Sequence, residues 1–65
     1  PNPVNDVLNI QTSLDVFTEV YSSLGHLIVS GTKEKRIDLS RFPSGVYQVV
    51  INYNGRISIE KIIKL

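Results

Sequence analysis

Cysteine, tryptophan and methionine are absent from this chain, and histidine occurs once. Without cysteine there is no disulfide framework and no thiolate metal site. The single His26 stands beside Gly25 at a turn and has no arranged nucleophile or acid around it, so it reads as a surface residue and not as a base. The four glycines stand singly, each at an expected turn, which leaves no glycine-rich loop to cradle a phosphate. No apolar run approaches the roughly twenty residues that a bilayer-spanning helix needs. No dense stripe of one charge exists either. The net charge is +1, and the one basic cluster, Lys33 to Arg36, is interrupted by Glu34. These absences argue against catalysis, a metal or cofactor, a direct membrane span and a nucleic-acid surface.

What is present is a short, ordinary globular composition. Sixty-five residues allow one domain, residues 1–65. A chain of this size buries only about 60% of its unfolded surface, so its stability is expected to be marginal. Hydrophobic content of 42% with 20% charge places it among folding chains and not disordered ones. The chain opens Pro1-Asn2-Pro3 with neither an initiator Met nor a signal peptide, as a piece cut from a longer protein would.

The apolar pattern has period two throughout, and no segment has a useful helical period. Pro1 to Asp6 reads as an extended arm or corner. In the short strand after it, Leu8 and Ile10 share a face. From Leu14 to Tyr21, Val16, Thr18 and Val20 suit a core, while Phe17, Glu19 and Tyr21 suit an outer face. Ser22 to Gly25 is a turn with Gly25 at positive φ. His26 to Ser30 returns as a strand, and Gly31 to Lys35 reads as a polar loop. Arg36 to Leu39 is short, with Ile37 and Leu39 inward. Val46 to Tyr53 is the longest strand, with Tyr47, Val49, Ile51 and Tyr53 on the core side. Arg56 to Leu65 closes the chain, with Ile57, Ile59, Ile63 and Leu65 in phase and Lys61 interrupting them.

Two turns organise the second half. Between Leu39 and Tyr47, Pro43 fixes its own φ, Gly45 is free to take a positive φ, and the turn drops Phe42 and Tyr47 onto one core. Asn54-Gly55 is the strongest hairpin signal. A two-residue loop there would pair Ile51 with Ser58 and Val49 with Glu60. A three-residue loop would pair Ile51 with Ile57 and Val49 with Ile59. Because a one-residue slip exchanges faces, the second register is expected, with Gly55 as the left-handed residue of a bulge. Six short strands between turn signals indicate an all-β sandwich or barrel.

Four blocks, in order, resemble a known family. They are Pro1-Asn2-Pro3-Val4 with Asp6 to Ile10; Glu19 to Tyr21 through Leu24 to Ile28; Ile37 to Ser40 with Phe42 to Val49; and Ile59 to Lys64. Together they are similar to the type A C-terminal sorting domain of the type IX secretion system. Ser22 departs from a frequent acidic residue and Phe42 from the usual leucine. The resemblance implies a small immunoglobulin-like antiparallel β-sandwich of about six to seven short strands at the C-terminus of secreted cargo. It implies passage through the periplasm to the outer membrane or cell surface. It also implies three partners: the type IX translocon, an outer-membrane shuttle protein and a gingipain-like sortase that removes the domain by cutting upstream of Pro1. The implied recognition and turn residues are Pro1, Asn2, Pro3, Gly25, Gly45, Tyr47, Lys61 and Lys64.

Each of these also has a plain structural reading. Gly25 and Gly45 serve turns, and Tyr47 fills a core. Lys61 and Lys64 either meet a partner or guard an edge strand against aggregation. The rival reading of the whole chain is an immunoglobulin-like adhesive, carbohydrate-binding or spacer module, with Phe17 and Tyr21 as a thin aromatic platform. Whatever the reading, a marginal core and exposed edges leave a homodimer by strand exchange open, and strand addition by a partner is an accessory route of the sorting reading.

Overall fold

Strand β6, Gly45–Tyr53, is the spine of the molecule. In this computed structural model, which describes residues 2–65, β6 pairs antiparallel with β3 on one side and with β7, the last strand of the chain, on the other. The elements in chain order are β1 (Asn2–Val4), β2 (Val7–Asn9), β3 (Phe17–Ser22), β4 (Leu27–Thr32), β5 (Arg36–Asp38), β6 and β7 (Arg56–Lys64). Five strands form one sheet in the order β1-β7-β6-β3-β4, and β2 and β5 form a second. The fold is all-β and sandwich-like. One pair departs from the antiparallel expectation: β1 runs parallel to β7, because the chain enters at the sheet edge beside its own last strand and in the same direction.

The core lies between the two sheets. Val20, Tyr47, Val49 and Ile62 from the large sheet meet Leu8, Ile37 and Leu39 on or beside the small one. Leu39 and Val20 are fully buried, and each such side chain stabilises the fold by about 1.5–3 kcal/mol. The faces of β3 and β6 follow the sequence. Val16, Thr18 and Val20 are buried, as are Tyr47 and Val49. Ile37 and Leu39 are inward as expected. The Leu39–Tyr47 turn delivers both rings: Tyr47 is buried and Phe42 packs against the same cluster. The Tyr47 hydroxyl donates to the Pro43 carbonyl, which ties the ring back across the turn as a tyrosine corner does. Phe42 N donates to the Leu39 carbonyl at 3.0 Å.

The last hairpin differs from expectation. Tyr53 pairs directly with Arg56, so Ile51 faces Ser58, Val49 faces Glu60 and Tyr47 faces Ile62. Asn54 (φ 49°) and Gly55 (φ 74°) are both left-handed, the signature of a two-residue type I′ turn. The three-residue register rested on the assumption that Ile57, Ile59, Ile63 and Leu65, which share a phase, face the core, whereas Ile63 and Leu65 are exposed. The inward side of β7 carries Ser58, Glu60, Ile62 and Lys64 instead, and Ile57 and Ile59 remain 65% and 63% exposed. The reason is the short cover. β2 and β5 span three residues each, so no second layer at the hairpin end rewards burial of Ile57 and Ile59. A turn whose twist matches its strands then decides the register.

Lys61 consequently sits opposite Gln48 on the outer face, with no conflict to resolve. A further correction concerns Gly31, read from sequence as the start of a loop. β4 continues through Gly31 to Thr32. A Cβ at Gly31 would collide with the ring of Phe17, which lies over it from β3. The glycine makes room for an aromatic cover on an edge strand.

Candidate functional site

The register gathers the sequence-derived residues at one end of the large sheet. Asn2 and Pro3 of β1 pair with Ile62 and Ile63. Gly45 pairs with Lys64, Tyr47 with Ile62 and Gln48 with Lys61. Ser22, from which the turn bearing Gly25 departs, pairs with Tyr47. Pro3, Gly25, Gly45, Tyr47, Lys61 and Lys64 therefore share the end where β7 finishes, opposite the Asn54-Gly55 hairpin. Pro1 lies outside the described residues.

These residues are not equally available. Lys61 is exposed on the outer face. Lys64 is buried, its side chain 8% exposed, and its Nζ lies 3.9 Å from Oδ1 of Asp6, which is itself 70% exposed. The lysine stem thus covers the core while its ammonium reaches out beside a carboxylate in water. Asp6, in the corner between β1 and β2, is a contributor that sequence reasoning missed, and only the strand crossing brings it there. Tyr47 is buried and tethered, so it positions the turn and presents little surface.

Both glycines hold a positive φ. Gly25 has φ 85° in a closed turn: Gly25 N donates to the Ser22 carbonyl at 2.9 Å, and Ser22 N donates to the His26 carbonyl at 2.8 Å. The Ser22 hydroxyl accepts from His26 N at 3.2 Å. Gly45 has φ 157°, and a Cβ there would meet nothing within 4 Å. Both positions demand glycine through their backbone, since neither φ is one that a residue with a Cβ readily adopts.

The outer face of the large sheet is apolar in patches. Ile57, Ile59, Ile63, Val46 and Phe17 are all exposed there. Tyr21 belongs to the same face, and its hydroxyl donates to Oε1 of Glu19 at 3.2 Å. That bond to a carboxylate, with smaller contributions from burial and the negative charge, raises the phenol above its ordinary value. On the small sheet, Asp38 accepts from Ser40 N at 2.8 Å, and this bond holds its carboxyl below the ordinary value. No cluster of three or more His, Cys, Asp or Glu suited to a metal occurs among the described residues, and no helix there is long and apolar enough to cross a membrane.

Taken as a class, this is a small sandwich-like all-β domain that offers surfaces and strand edges. A family model for the secretion system C-terminal sorting domain matches residues 1–65. The chain belongs to that family, the C-terminal sorting domains of type IX secretion. No curated protein and no solved structure matches it. A sorting signal of this family implies interaction with the type IX secretion machinery and delivery to the outer membrane or cell surface, and the family is not one of enzymes.

Proposed function

We propose that residues 1–65 are one sorting domain at the C-terminal end of a longer secreted protein, read as a folded surface and not as a linear tag. The cargo crosses the periplasm, and the translocon and an outer-membrane shuttle protein recognise the end of the sheet where β1, β6, β7 and the Gly25 turn converge. A gingipain-like sortase then cuts upstream of Pro1 and attaches the cargo to the cell surface. The domain is that enzyme's substrate and performs no chemistry itself.

The observation that carries this reading is the register. Residues scattered from Pro3 to Lys64 in sequence become neighbours only when β7 pairs with both β1 and β6. Within the surface, Lys61 is the residue that is read. Lys64, Tyr47 and Gly25 build the surface on which it stands. The test is a secreted reporter carrying either all 65 residues or β7 alone, expressed in a host with the secretion system. The whole domain is expected to deliver the reporter to the cell surface and β7 alone to leave it in the periplasm. Full export by β7 alone would refute the folded address.

A further inference from the structure

Strands β2 and β5 pair only with each other. Their ladder determines which backbone groups are left over. Leu39 N donates to the Asp6 carbonyl and Ile10 N to the Lys35 carbonyl, each at 2.7 Å. Between these bonds Leu8 faces Ile37. Backbone groups of an antiparallel strand alternate between its two sides. Asp6, Leu8 and Ile10 are therefore committed to β5, and the N–H and C=O groups of Val7 and Asn9 point to the free edge.

That edge borders an open groove of about 1000 Å³. The groove floor is the inward side of the hairpin end, with half-buried Ile51 and Tyr53 from β6 and Ser58 from β7. This is the part of the large sheet that the short second sheet leaves uncovered. The lining contains two carboxylates, Asp6 and Glu60, and no lysine or arginine. Glu60 is exposed opposite Val49 and makes no ion pair among the described residues.

We propose that this groove binds one extended strand of a partner protein, hydrogen-bonded to the free edge of β2, with apolar side chains at alternate positions and a lysine or arginine for Glu60. The backbone donors and acceptors of Val7 and Asn9 repeat along one line, a spacing that a peptide backbone matches. Alternate side chains of such a strand point the same way, onto the apolar floor. β2 spans three residues, about 10 Å at roughly 3.3 Å per residue, so the bound segment pairs through the Val7 and Asn9 groups alone. The partner carries a cation because Asp6 already lies beside Lys64 Nζ, whereas Glu60 is the lining carboxylate with no ion pair among the described residues. The proposal does not depend on the sorting role and holds for any partner of this chemistry.

The probe is an octapeptide of alternating valine and threonine with a lysine at each end, titrated into the isotope-labelled 65-residue chain. The expected result is slowed hydrogen exchange at the Val7 and Asn9 amides. Asn9→Pro removes one of those N–H groups at an edge position where proline is tolerated, and should weaken binding by at least about fivefold. Glu60→Lys, at an exposed site, should weaken the lysine-ended peptide by about fivefold and favour a glutamate-ended one. Protection confined to β4, no binding at millimolar peptide, or equal affinity for both peptides after Glu60→Lys would each overturn the proposal. Protection of Val7 and Asn9 that rises with protein concentration alone would assign the groove to a second copy, and would overturn the partner strand.

Discussion

The two ends of the β6–β7 ladder are built from similar residues and behave differently. At the end where β7 finishes, Tyr47 and Ile62 face each other under the second sheet, and Lys64 is drawn into the same cover. At the hairpin end, Ile51 faces Ser58, Asn52 faces Ile57, and both Ile57 and Ile59 look into solvent. Ile62 alone of the β7 isoleucines is inward, facing the second sheet, while Ile57, Ile59 and Ile63 are outward on the same strand. The difference shows that the second layer, and not hydrophobicity alone, decides which face of a strand is the core face. It also separates a closed end that holds the family's candidate residues from an open end that holds an uncovered groove.

Substitutions at the two ends should therefore differ, and the largest contrast comes from the isoleucines. Ile62→Ala should lower stability by about 2–4 kcal/mol, and Ile57→Ala should change it by less than about 0.5 kcal/mol, as read by urea denaturation. Equal losses would erase the distinction between the ends.

The turn glycines come next. Gly25→Ala and Gly55→Ala place a side chain at φ 85° and φ 74° and should each cost about 1–2 kcal/mol. Gly45→Ala, at φ 157°, should cost a similar amount through backbone strain alone, because a Cβ there meets nothing within 4 Å. Tyr47→Phe should cost about 1 kcal/mol through loss of the bond to the Pro43 carbonyl, with the ring still in place and the fold intact by circular dichroism.

The smallest effect is one of pH. The folded Asp38 carboxyl lies below its ordinary value of 3.8. Its contribution to stability is complete above that value and is lost as pH falls through the lower folded value. Asp38→Asn should flatten this acid limb of the stability profile and leave the neutral region with the smaller change.

Much of this architecture is legible in the residues. The alternation of Val16, Thr18 and Val20, and of Tyr47, Val49 and Ile51, states which side of β3 and β6 is inward, because both strands cross the middle of the sheet and have cover above them. Gly25 and the Pro43–Tyr47 turn are legible because their backbone chemistry is local. The face of β7 is not legible from its own sequence, since its isoleucines answer to a second layer whose extent depends on β2 and β5. Asn54-Gly55 did carry the information: its preference for a two-residue turn outweighs an apparent gain from pairing Ile51 with Ile57. The proximity of Asp6 to Lys64 and the space Gly31 leaves for Phe17 depend on strands far apart in the chain, and no local pattern announces them.

For the candidate residues, sequence supplies the names and the fold supplies the division of labour. Lys61 and Lys64 lie three positions apart, look alike in sequence, and end on opposite faces, one exposed and one buried. The most direct test is to compare Lys61→Ala and Lys64→Ala in a secreted reporter, with export and urea midpoint measured for each. The account predicts that Lys61→Ala halts export at an unchanged midpoint, and that Lys64→Ala lowers the midpoint and loses export only as far as it unfolds. Normal export by Lys61→Ala, or an export block by a fully folded Lys64→Ala, would contradict it.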